Sequence, residues 1–137
     1  MANRVPGPSQ PSKALGDVVE LAGWLPPREL SPNARVHHMA KARHTKATRQ
    51  TIWGAVKHAE WPEQPARGAP RLLRITLRKK GVLLDDDNAV AWCKAVIDGV
   101  FDAGALYSDA RQWCRLEVRQ EKGEPCTTLE LFEEGPA

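Results

Sequence analysis

Proline placement constrains this chain more than any other feature. Prolines gather at Pro6, Pro8 and Pro11, at Pro26-Pro27, and at Pro62, Pro65 and Pro70. Regular structure has to fit between these clusters, because proline lacks the amide donor that helices and ladders use. The first seventeen residues, with Ser and Gly between the prolines, predict a frayed tail over 1–17. Val18 to Leu25 reads as a strand stopped by Pro26-Pro27. From about His37 to His58 no proline intervenes, and Met39, Ala42, Ile52, Trp53 and Val56 recur at spacings of an amphipathic helix. The stretch 61–70 predicts a loop. Leu72 to Leu77 gives a strand that ends in the charge run Arg78-Lys79-Lys80. A second helix fits Asn88 to Ala103, with an apolar stripe of Ala89, Val90, Cys93, Val96, Ile97, Val100 and Phe101, Asp87 as N-cap and Gly104 as terminator. Two alternating runs, Cys114 to Arg119 and Cys126 to Leu131, joined by 120–125, form a strand, turn, strand signal. The succession β-α-β-α-β-β predicts an α+β fold with two main helices packed on a sheet. A length of 137 residues suits one domain, placed at 18–133 with a short tail at 134–137.

Bulk properties narrow the classes of function. No apolar run approaches the roughly 20 residues of a membrane span, and the amino end lacks a signal-peptide core, so a cytoplasmic protein is expected. Three cysteines without a CxxC pair predict reduced packing residues rather than a disulfide framework. The net charge of +3 conceals a polarity: residues 1–80 hold 15 Lys and Arg against 5 Asp and Glu, and residues 81–137 hold 5 against 12. A basic half favours a polyanionic partner, and an acidic cluster opposite it could hold a divalent cation.

The densest chemical feature is Asp85-Asp86-Asp87-Asn88, where a strand-like run meets a helix. In an extended chain Asp85 and Asp87 face the same way. Adjacent carboxylates repel, and a hard cation such as Mg²⁺ relieves them. Taken alone, the pattern fits an acidic turn capping a helix more readily than a site. Asp109 follows Gly104, where the chain turns back toward the sheet and could come alongside. The histidines, His37, His38, His44 and His58, lack metal-site spacing with cysteine and read as surface residues.

The ordered set Asp85-Asp86-Asp87-Asn88, Lys94 to Val100 with Asp98, Gly104 and Asp109 resembles the D-x-D-N … K-x-x-x-D-x-[LV] … G … D signature of RusA-type Holliday junction resolvases. Leu25-Pro26-Pro27 and Leu30 to Arg35 are similar to the Pro-rich, Ser-x-Asn-bearing stretch near that family's amino end, as in phage-encoded members. The likeness runs from about Val18 to Glu133. It implies a mixed sheet and a Mg²⁺-dependent endonuclease, with Mn²⁺ able to substitute, acting as a homodimer on four-way DNA junctions in recombination and repair. It further implies that Asp85, Asp87 and Asp109 bind the metal and that Lys94 is the catalytic or DNA-positioning lysine. In the family pattern the lysine follows the second aspartate by four residues, whereas Lys94 follows Asp87 by seven. On one continuous helix that displacement is about 4.5 Å and about −60°, which keeps the same face.

Such a function gives the cations a role. Arg78, Lys79 and Lys80, the helical Lys41, Arg43, Lys46 and Arg49, and Asn33 and Arg35 are the expected DNA contacts, tracking phosphates without reading sequence. Of Trp24, Trp53, Trp61, Trp92 and Trp113, most are expected in the core, with room for one wedge against an unstacked base. A non-catalytic nucleic-acid-binding protein, or a nuclease for other branched or single-stranded DNA, has the same sequence signals.

Overall fold

The computed structural model describes residues 13–107 and 112–134. It holds β1 (Lys13–Ala14), β2 (Val19–Ala22), a 3-10 turn at Arg28–Leu30, α1 (His38–His58), β3 (Arg71–Lys79), α2 (Asp86–Trp92), α3 (Lys94–Asp102), β4 (Cys114–Lys122) and β5 (Cys126–Glu133). This is an α+β arrangement with a mixed sheet and three helices, in the order β1-β5-β3-β4 with β2 also on β5. It departs from the expected succession by one further strand and by a division of the second helix. Lys13 and Ala14 pair with Glu133 and Phe132, so the sheet already begins inside the segment expected as tail.

β3 is the organising strand. It pairs with β4 in parallel and with β5 antiparallel, so Ile75 lies between Val118 and Leu129, and Leu73 between Leu116 and Leu131. β4 and β5, expected as strand, turn, strand, therefore do not pair with each other but flank β3. The residues 123–125 cross the end of β3, with Gly123 N–H donating to the Lys79 carbonyl at 3.1 Å. Two interstrand spacings are roughly 10 Å, within reach of so short a connection. The helices α2 and α3 supply the crossover that parallel neighbours require.

Side-chain alternation along β3 sorts the two faces. Leu73, Ile75 and Leu77 are wholly buried and join Leu129 and Leu131 of β5, Ile52 and Val56 of α1, and Val96 and Val100 of α3 in one core. The opposite face is mostly polar beyond the buried Leu72: Arg74 lies over the Phe132 ring at 4.8 Å, pairs with Glu117, and sits 3.7 Å from Glu130. α1 and α3 approach closely at Gly99, where an added Cβ would stand 2.7 Å from Ile52 Cβ and 2.9 Å from the Arg49 carbonyl oxygen. Only glycine permits that crossing.

The buried stripe of α1 is Thr48, Ile52 and Val56, which leaves Met39 and Trp53 on the solvent side at 59% and 46% exposure. In the second helical region Ala89, Cys93, Val96 and Val100 are buried, whereas Val90 and Phe101 are exposed. Gly104 ends α3 as expected, at φ +86°, a conformation open to glycine without strain. All three cysteines are buried, and burial pushes the Cys93 thiol up to about 12. Among the described residues no helix is long and apolar enough to cross a membrane.

Candidate metal centre and basic surface

The acidic segment lies beyond the end of β3. α2 starts at Asp86, two residues earlier than expected, and Asp85 rather than Asp87 is its N-cap, in extended backbone at φ −61° and ψ 153°. The two-residue alternation therefore does not relate Asp85 to Asp87; the helical step of about 100° sets the direction of Asp87. Asp86 and Asp87 occupy the first turn, where the helix dipole favours negative charge. All three aspartates are exposed, and none makes a side-chain hydrogen bond or ion pair with another described residue.

What holds this segment in place is a residue that the sequence reading did not single out. The Gln120 side chain accepts from Leu84 N–H at 2.9 Å and donates to the Leu84 carbonyl at 2.7 Å. This two-bond clamp fixes the backbone immediately before Asp85. Gln120 stands opposite Leu77, on the face that carries Leu116 and Val118. A signal was present: an amide interrupts the Leu116, Val118 alternation on the core face, and a polar group there needs a partner. Lys79 adds a second tie, with Nζ donating to the Val82 carbonyl at 3.0 Å and lying 5.6 Å from the Trp92 ring centre. Trp92 in turn donates to the Pro27 carbonyl at 2.9 Å.

Asp109 lies outside the described residues. Its nearest described neighbours in the chain are at the other end of the sheet. The buried Arg71 guanidinium, at the start of β3, donates to the carbonyls of Pro62 and Ala105 at 2.6 and 2.9 Å. Leu84, in contrast, is level with Leu77. Six strand residues, roughly 20 Å, separate these levels. Among the described residues no three His, Cys, Asp or Glu side chains are grouped to hold a metal.

Lys94 opens α3, beyond the interruption at Cys93, so its direction is not that of a single continuous helix from Asp87. Its Nζ pairs with Asp98 Oδ1 at 2.8 Å, an exposed i, i+4 contact.

The expected DNA contacts separate into two groups. Arg78 faces Glu121 at 3.5 Å, Lys80 faces Glu124 at 3.0 Å, and Lys79 is turned to Val82, so much of the charge of this run is locally offset. On α1 and the segment before it, Arg35, Lys41, Arg43 and Lys46 have no carboxylate partner among the described residues. Arg49 makes a two-pronged pair with Asp102, at 2.8 and 2.7 Å, which holds the Asp102 carboxyl below its ordinary range. Asn33 N–H donates to Ser31 Oγ at 3.4 Å, and Asn33 and Arg35 border a hollow of about 500 Å³.

Four tryptophans have packing roles. Trp61 and Trp92 are buried, Trp24 packs against the core, and Trp113 lies 4.7 Å from the Tyr107 ring. Trp53 does not. The histidines lie on or near the surface, and His37 Nδ1 accepts from Met39 N–H to cap α1.

The donor set suits a hard cation. Mg²⁺ is commonly held by one or two carboxylates, with water and substrate phosphate completing its shell, and Asp85 and Asp87 supply oxygen donors that have no competing partner among the described residues. Compared with known families and with curated proteins, the chain matches no family model and no curated relative.

Proposed function

We propose that this chain is a Mg²⁺-dependent endodeoxyribonuclease of the RusA type, acting as a homodimer on four-way DNA junctions by paired nicks. The observation that carries the reading is the run of exposed carboxylates at the start of α2, without partners among the described residues and seated by the Gln120 clamp, in a molecule whose α1 carries Lys41, Arg43 and Lys46 with no carboxylate partner among the described residues. Asp85 and Asp87 would hold the ion, with Asp109 as the third carboxylate and Mn²⁺ as an acceptable substitute. A bound Mg²⁺ supplies an activated water near neutral pH and offsets charge developing on the phosphate. Lys94 places a mobile positive charge at the scissile phosphate. Its pair with Asp98 is worth only about 0.3–0.5 kcal/mol, weak enough to be exchanged for a phosphate. The unpaired cations of 35–46 track the backbone, and two-fold symmetry of a dimer suits a junction with paired cutting sites.

The test is cleavage of a synthetic four-way junction and of a linear duplex of the same arms, with Mg²⁺ and with EDTA. Symmetric nicks in the junction alone, and only with Mg²⁺, are expected. Cutting of flaps or single strands in place of junctions would reassign the substrate. Tight binding without cutting under Mg²⁺ or Mn²⁺ would identify a non-catalytic nucleic-acid-binding protein, a reading to which the basic α1 surface contributes equally.

A further inference from the structure

The exposed side of α1 carries a groove of about 670 Å³ lined by Lys41, Thr45, Lys46, Arg49, Gln50 and Trp53. It runs from His38 to Trp53, about 22 Å of helix. Its carboxylate among the described residues is Asp102, and Arg49 already occupies both oxygens of that group. Among the described residues Lys41 and Lys46 are thus left with uncompensated charge, about 7–8 Å apart along the axis by helical rise (~1.5 Å per residue). At the far end, Trp53 is nearly half exposed, and it neither stacks on another described ring nor uses its indole N–H within the described residues. An indole this open thus stands at the end of a basic groove.

Three kinds of polyanion could meet it. A lipid surface requires a protruding apolar face, whereas most residues lining this groove end in charged or polar groups, with Ala42 and Trp53 the apolar ones among them. Duplex DNA offers phosphates to the lysines, but its bases are stacked on one another and leave no ring face for Trp53. A single strand offers both, because phosphates track the cations while an unstacked base lies on the indole.

We propose that the α1 groove seats single-stranded nucleic acid, with Lys41 and Lys46 on consecutive phosphates and Trp53 stacking a base. The inference goes beyond the nuclease reading, and its test omits metal so that the two fail separately. The probe is a labelled oligothymidine of about twelve nucleotides, titrated in EDTA at low salt and followed by anisotropy. Trp53→Ala should lower its affinity about tenfold, while Trp53→Phe stays within about threefold of the parent because a ring is kept. Binding to a duplex of equal length should be unchanged in both. Lys41→Gln and Lys46→Gln should each reduce the slope of log affinity against log salt by about 0.7, the value for one single-strand phosphate contact. The inference is overturned if the parent fails to bind the oligonucleotide, or if a folded Trp53→Ala protein binds it as the parent does. Tighter, Trp53-dependent binding to phosphatidylserine vesicles than to the oligonucleotide would overturn it in favour of a membrane surface.

Discussion

Gln120→Leu removes both hydrogen bonds that bracket Leu84 while keeping a side chain of similar volume. At 2.9 and 2.7 Å the bonds have ordinary lengths, and each contributes about 1 kcal/mol net when its partners can otherwise reach water. Leu84 is half-buried, so its freed N–H and carbonyl regain part of their hydration, and the loss should come to about 2 kcal/mol. For a chain of this length the unfolding entropy is about 0.29 kcal/mol per kelvin, which converts that loss to a fall in Tm of about 7 °C. Stability alone would not separate the clamp from general packing, and amide exchange does. The Leu84 N–H should lose protection in Gln120→Leu, while amides in the centre of β3 keep theirs relative to the lowered global stability. Gln120→Glu sharpens the test. At neutral pH its carboxylate can still accept from Leu84 N–H but faces the Leu84 carbonyl without a proton to donate. Protonation restores the donor, so the folded state raises the pKa of that Glu, and stability lost at neutral pH should return as pH falls through it. A Tm within about 1 °C of the parent for Gln120→Leu, with Leu84 protection unchanged, would refute the clamp.

Three further outcomes follow from the same structure. Because Arg49 holds the Asp102 carboxyl below its ordinary 3.8, the pair contributes above that pH and is lost as pH falls through the folded value; Arg49→Met should cost under about 1 kcal/mol at pH 7 for so exposed a pair, with the gap to the parent closing in urea melts below about pH 3.8. The three cysteines should resist a thiol reagent at neutral pH in the folded protein and all react in denaturant, Cys93 in particular since burial pushes its thiol up to about 12; a fast-reacting thiol in the native state would contradict the burial. Lys94→Ala should lower junction cutting on the order of a hundredfold with almost no change in Tm, as a positioned phosphate cation commonly supplies a few kcal/mol in the transition state; a loss within about threefold would leave Lys94 as the partner of Asp98 alone.

Local patterns were legible in the sequence and long-range pairings were not. β3 and α1 stood out because alternation and helical spacing are written within a few residues. The phase of α1 was misjudged, since Met39 and Trp53 are as apolar as Ile52 and Val56, and only the packing of α3 selects which side is covered. β4 and β5 read as strand, turn, strand because their connection is short, but nothing local told their partner, and the crossover from β3 places β4 beside it and β5 on its far flank. The run Arg78-Lys79-Lys80 looked like free positive charge because Glu121 and Glu124, its offsetting partners, lie some forty residues on and meet it only through strand register. The acidic run was visible as chemistry, but its seating was not, since the Gln120 to Leu84 bonds join residues that no local rule connects.

The most direct test of the central claim is metal-dependent cutting of a four-way junction by the parent, Asp85→Asn and Asp87→Asn proteins at equal junction occupancy. The account predicts nicking by the parent in Mg²⁺, and no detectable nicking by either variant, with binding kept or tightened because a negative charge near the phosphates is gone. Nicking by Asp85→Asn and Asp87→Asn at the parent rate, or a parent that binds the junction and cuts it with no divalent ion, would contradict it.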